Sequence, residues 1–240
     1  MRFAILGDIH ANIHALAAVL EDAEDHSCNQ YVCLGDIVGY NAYPSECVDV
    51  IRDLDCPVVK GNHDEQVSMD VTQGGLNPLA EAAILWTQEQ LDSDQLQWLK
   101  DLRMQRQVRD FSIVHATLDT PQKWGYITTQ LDAAASFSYQ ITNLCFIGHT
   151  HVPKAYIKEE IVRTEILDVL PIEKKKKYLI NVGSVGQPRD GDWRASYCIY
   201  DSESSEVTLR RVDYDIQSAQ NAILAAGLPQ KLATRLASGR

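Results

Sequence analysis

Arg2-Phe3-Ala4-Ile5-Leu6 runs directly into Gly7-Asp8-Ile9-His10-Ala11-Asn12, after which Ile13, Leu16, Ala17 and Leu20 fall on one face at helical spacing. An apolar strand, a polar loop and an amphipathic helix in succession make the unit of an α/β protein. Apolar segments at 30–34, 57–60, 111–115 and 143–147 predict further strands, and Pro44 opens a second helix over 44–54. The spacing over 78–101 predicts two helices, broken where Asp92-Ser93-Asp94 suits an N-cap, that cover one edge as an insertion. From residue 143 the pattern shifts to β segments at 153–158, 161–166, 177–182, 196–201 and 206–212, read as a second sheet. Helices near 215–226 and 229–238 close the chain, and 1–240 is expected to be one domain.

A chain of 240 residues, 45% hydrophobic and 23% charged, has an ordinary globular composition. Its net charge of -11 argues against a broad basic surface, so long nucleic acids are not expected partners. The six cysteines form no CxxC pair and sit mostly in apolar stretches, which predicts free buried thiols and a reduced, cytoplasmic protein. No apolar run reaches the roughly 18 residues of a membrane span, so no membrane partner is expected. Lys174 to Lys177 reads as a solvated hairpin turn.

The first-half strands all end in residues able to hold a metal: Gly7-Asp8-Ile9-His10, Gly35-Asp36, Gly61-Asn62-His63-Asp64, His115 and Gly148-His149-Thr150-His151. Ligands of α/β sheets gather outside the carboxyl ends of strands, so these groups should converge on one site. Residues i and i+2 of an extended backbone share a side, which would aim Asp8 with His10 and His149 with His151. Five of the seven histidines lie in these motifs. Oxygen and imidazole ligands without thiolate suit Mn, Fe or Zn, and so many candidates suit two ions sharing a carboxylate better than one tetrahedral zinc.

In this order the motifs resemble the calcineurin-like metallophosphoesterase superfamily, and most closely its compact prokaryotic phosphodiesterase/phosphatase branch. Asn12 matches that branch's Asp-x-His-x-Asn opening, and Asn181-Val182-Gly183-Ser184-Val185 its later Asn-Pro-Gly-Ser-Val-like motif. The resemblance implies two mixed β-sheets packed as a sandwich flanked by helices. It also implies one divalent ion on Asp8, His10, Asp36 and His151 and a second on Asp36, Asn62, His115 and His149. The ions would be Mn, Fe, Zn or Ni, with manganese the first expectation. The activity implied is hydrolysis of phosphodiesters or phosphomonoesters of small nucleotide-like substrates by a metal-bridging hydroxide.

Asp36 and His63 are the expected catalytic residues, with His63 protonating the leaving group or stabilising the transition state and Asn12 and His63 touching substrate. Asn12 could equally cap the helix it precedes, and Asp64 could either orient His63 or bond backbone amides of the turn. Arg189 reads as a phosphate clamp or a surface salt bridge. Trp124 and Tyr126 could stack a base or pack their loop. His14 and His26 carry no expected chemistry, and the last forty residues little. Gly39 and Tyr40 stand where phosphoprotein phosphatases of the superfamily carry Asp and Arg, which lowers the expectation of a protein phosphatase. A metal-binding module without turnover and a different kind of dinuclear hydrolase are two further classes that the same ligand motifs would suit.

Overall fold

The computed structural model describes residues 1–69 and 77–240. Its strands are β1 (Arg2–Leu6), β2 (Gln30–Cys33), β3 (Gln105–Val108), β4 (Phe111–Val114), β5 (Leu144–Ile147), β6 (Lys154–Lys158), β7 (Val162–Glu165), β8 (Val169–Pro171), β9 (Lys177–Asn181), β10 (Ala195–Asp201) and β11 (Glu206–Val212). Its helices are α1 (Ile13–Asp25), α2 (Pro44–Asp53), α3 (Asn62–Ser68), α4 (Pro78–Gln90), α5 (Ser93–Asp101), α6 (Gln130–Phe137), α7 (Ile216–Ala225) and α8 (Gln230–Leu236).

Two sheets form, ordered β2-β1-β10-β11-β8 and β3-β4-β5-β9-β6-β7. Both are mixed: β1 runs parallel to β2 and β4-β5-β9 are parallel, while β10 and β6 are antiparallel to their neighbours β1 and β9. Alternation along each strand builds the layers. Phe3 and Ile5 face a core shared with Phe111, Ile113, Phe146 and Ile180 of the other sheet, whereas Ala4 and Leu6 face a second core with Leu16, Val19, Cys47 and Val48 of the helices. Phe111 sets its ring edge-on to Phe3 at 5.3 Å and to Phe146 at 5.4 Å, which locks the two sheets together. On the far side, Ala133 and Phe137 of α6 cover Val114, Cys145, Ile147 and Leu179. The expected sandwich with helices outside is therefore the architecture.

Three local expectations are corrected. Strands from the second half do not form a sheet of their own; β10 and β11 extend the β1-β2 sheet, and β9 pairs with β5. Segment 57–60 makes only single bridges, Val58 with Cys33 and Val59 with Arg103, because it brushes the sheet edge and turns at once into α3. The α4–α5 hairpin is broken by Asp92 as expected, through a capping box with Gln95, but it packs chiefly against α3, with α4 also touching α2, rather than along a strand edge. All six cysteines are free, five of them buried. None of the described helices is long and apolar enough to cross a membrane.

Candidate metal centre

The carboxyl ends of β1, β2, β4 and β5 open at one edge, and the loops that follow are zipped together by their backbones. Asp8 N–H donates to Gly35 O, His10 N–H to Asp36 O and Gly148 N–H to His115 O, all within 2.8–3.0 Å. The expected partners Asp8 and His10, and His149 and His151, do share the site, but not through an extended chain. Asp8, His10, Asp36, His149 and His151 all have φ between 49° and 68°. A left-handed backbone at non-glycine residues costs about 1–3 kcal/mol each, which only a tightly over-determined loop cluster sustains. Gly148 is part of that packing, since a Cβ there would lie 2.2 Å from Asp8 Oδ2.

Ligating atoms of Asp8, His10, Asp36 and His151 lie within 4.8 Å of one another, as do those of Asp36, His115 and His149. Asp36 belongs to both groups. Its Oδ2 lies 3.5 Å from His10 Nε2 and 3.4 Å from His115 Nε2, and Asn62 Oδ1 stands 3.3 Å from the same His115 nitrogen. His10, His115 and His151 each hold Nδ1 against a backbone carbonyl, of Val38, Leu34 and Gln187, at 3.1, 2.8 and 2.6 Å. Those bonds place the Nδ1 proton and aim Nε2 inward, as a bare acceptor in His10 and His151. His149 reverses the arrangement by directing Nε2 to Trp124 O at 2.9 Å. Its free nitrogen is therefore Nδ1.

Buried acceptors with nothing to accept from are expensive, and a cation is the group that satisfies them. Burial drives His10 and His151 well below the ordinary imidazole range, and burial with His115 drives His149 to about 3. His115 goes the other way: burial opposes its charge, but Asp36 and Asp8 hold it up to about 9, so a proton there does part of the work of a cation. Burial raises Asp8, whereas Asp36 stays well below the carboxylate range because His115 and His63 outweigh its burial. The donor set fits hard or borderline divalent ions.

The profile of the calcineurin-like phosphoesterase superfamily domain matches residues 1–205. The chain belongs to that superfamily. It is 39% identical over 241 residues to a protein of Methanocaldococcus jannaschii described as uncharacterized, covering 99% of this chain and 98% of that one. It is 41% identical to a metallophosphoesterase from Sphaerobacter thermophilus of known crystal structure, covering 100% of this chain and 99% of that chain at a TM-score of 0.90. A hypothetical protein from Pyrococcus horikoshii, 20% identical, shares the fold at a TM-score of 0.81, covering 100% of this chain and 98% of that one.

On this phosphoesterase scaffold the residues with two readings separate cleanly. Asp64 accepts the backbone N–H groups of Asp36, Ile37, Val38 and Gly61 at 2.8–3.3 Å, so it braces the Asp36 loop and does not reach His63. Burial and the nearby Asp36 charge push its pKa up to about 7 despite those amides. Of the two roles open to Asn12, the capping role is visible: Oδ1 accepts Ala15 N–H at the start of α1, and Nδ2 donates to Gly186 O. His63 lies beside the cluster, its ring 4.8 Å from His10 and 4.4 Å from Tyr40, with Nδ1 unpartnered among the described residues and its pKa lowered by burial. Trp124 donates Nε1–H to Glu65 and packs its loop, while Tyr126, 56% exposed, stacks on His149 at 4.2 Å.

The sequence reading missed the work of the later motif. Ser184 Oγ donates to Asp8 O, Asn181 Nδ2 to Gly148 O, and Gln187 O holds His151. It also missed Tyr40, a ring between His10, His63 and two arginines. A tyrosine in a loop gives no spacing signal, so only the folded chain reveals its neighbours.

Proposed function

We propose that the chain is a dinuclear metal-dependent phosphohydrolase acting on phosphodiester or phosphomonoester bonds of small nucleotide-like substrates. The observation that carries this reading is the convergence of bare imidazole nitrogens on the shared carboxylate Asp36. Asp8, His10, Asp36 and His151 would hold one ion, and Asp36, Asn62, His115 and His149 the other, with manganese the metal to test first. When bound, two such ions supply water activation near neutral pH and neutralise charge developing on phosphoryl oxygens.

The remaining work falls to the protein. The loop clamp on Asp36, made by Asp64 and by His63 N–H donating to Asp36 Oδ1 at 2.8 Å, fixes the shared ligand. His63 is neutral near pH 7 because burial lowers its pKa, and neighbouring cations would push it the same way. We therefore assign it hydrogen-bond donation to a phosphoryl oxygen in preference to protonation of the leaving group. The test is metal-free protein reconstituted separately with Mn, Fe, Zn and Ni and assayed on nucleotide mono- and diesters and phosphopeptides. Diester or monoester cleavage that vanishes in Asp36→Asn is expected; cleavage of phosphopeptides alone would replace this reading with a protein phosphatase.

A further inference from the structure

Arg189 and Arg235 come from distant parts of the chain to the same aromatic ring. Their guanidinium carbons lie 5.6 and 5.9 Å from the ring centre of Tyr40, whose other neighbours are His10 and His63 at 4.7 and 4.4 Å. Among the described residues no Asp or Glu lies within salt-bridge reach of either arginine, which removes the surface-ion-pair reading of Arg189. Arg189 bonds Gln187 Oε1 through Nε and Nη2, and Arg235 donates Nε–H to the main-chain oxygen of Arg240. Among the described residues the outer nitrogens of Arg235 are left without a protein acceptor. Two guanidinium groups on one ring, neither paired with an Asp or Glu among the described residues, repel, and burial followed by the Arg189 charge depresses the pKa of Arg235. An anion is the group that relieves this.

Arg235 lies on α8, beyond the residues matched by the superfamily profile, so the chain's tail brings a charge to the rim of the centre. Both arginines share Tyr40 with His10 and His63, and the Arg189 charge is felt at His63 and His151, so the pair borders the centre.

Resting on the phosphohydrolase reading above, we propose that Arg189 and Arg235 form a second phosphate subsite, and that the preferred substrates carry a second phosphate joined through a bridging oxygen to the scissile one, as nucleoside diphosphates do. Hydrolysis then adds water to the scissile phosphorus and breaks its bond to a neighbouring oxygen, which leaves with the departing group, and the surplus proton passes to solvent. Charge matching supports the class, because a single phosphate has no need of two further cations outside the metal centre.

The test compares each variant with the wild type, both manganese-loaded, on the same compound, using ADP and the single-phosphate ester p-nitrophenyl phosphate. Arg235→Ala should lower kcat/KM on ADP by about 10- to 100-fold, the scale of one lost charge-assisted contact, and leave the monoester within about threefold. Calorimetry supplies a second readout. Wild type should bind inorganic pyrophosphate more tightly than orthophosphate, and Arg189→Ala and Arg235→Ala should each erase that preference, while Arg235→Lys retains part of it. Equal losses on both compounds, hydrolysis of the monoester alone, or an unchanged pyrophosphate preference would overturn the proposal. If wild type cleaves neither compound, the substrate class proposed here is overturned, the phosphohydrolase reading stands or falls on the diester assays above, and the calorimetry still decides on the arginines.

Discussion

His10 and His151 turn their Nε2 atoms toward each other at 3.0 Å, while each spends Nδ1 on a backbone carbonyl. Two lone pairs facing at that distance repel unless a proton or a metal ion lies with them. A proton is a poor answer, because burial drives both imidazoles well below their ordinary range. A divalent ion shared with Asp8 and Asp36 satisfies all four groups at once.

The first expected outcome follows from that pair. Manganese at about 100 times its Kd should stabilise the folded protein by about 2.7 kcal/mol per site in denaturant unfolding. His10→Ala should lose the increment of its own site and keep a partial response from the Asn62, His115 and His149 side. No shift in wild type at any manganese concentration would remove the metal centre.

His63 touches no candidate ligand atom through its ring nitrogens, so its loss should separate catalysis from metal binding. His63→Ala is expected to lower kcat by about 10²- to 10⁴-fold with the metal content measured by elemental analysis unchanged. Because the imidazole is neutral, wild-type kcat should stay level from about pH 7 to about pH 9. A fall across that range that disappears in His63→Ala would make His63 a proton donor instead.

The gathering of Asp and His residues was legible in sequence because chemistry-bearing residues sat at strand ends, and the strands showed as apolar runs such as Leu144–Ile147. What the sequence withheld was tertiary. The pairing of β10 with β1 is a contact across almost the whole chain, and no local pattern specifies which sheet a late strand joins. The same holds for Arg235, which in sequence is one polar residue of an amphipathic helix. Asp64 shows the opposite limit: adjacent to His63 in sequence, it turns toward four backbone amides because its oxygens gain more from four N–H donors than from one imidazole.

Gly39 sets the position of His63. Its φ is +90°, and a Cβ there would come within 2.4 Å of His63 Nδ1. Gly39→Ala therefore meets both backbone strain and a clash, and should cost about 1–3 kcal/mol of stability while displacing the imidazole. The expected kinetic signature is a fall in kcat approaching that of His63→Ala, with metal content retained. Full activity in Gly39→Ala would show that the position of His63 is not what the site depends on.

The acid limb of stability should report a cluster far from the centre. Asp22 accepts Arg210 Nε and Nη2 at 3.0 and 2.8 Å and the Tyr197 hydroxyl at 2.7 Å. Burial alone would raise its pKa, but the bonds to Arg210 and Tyr197 outweigh burial and hold it below the carboxylate range. A folded-state pKa below the unfolded value means that the stabilisation is present above about pH 4 and is lost as the pH falls through the folded pKa. The site is partly exposed, so Asp22→Asn should cost only about 1 kcal/mol at neutral pH. That gap between wild type and variant should close as the pH drops from about 4 toward about 2, because protonated Asp22 then resembles the amide. Denaturant unfolding at a series of pH values measures it, and a gap that stays constant down to about pH 2 would show that the Arg210 pair contributes nothing through charge.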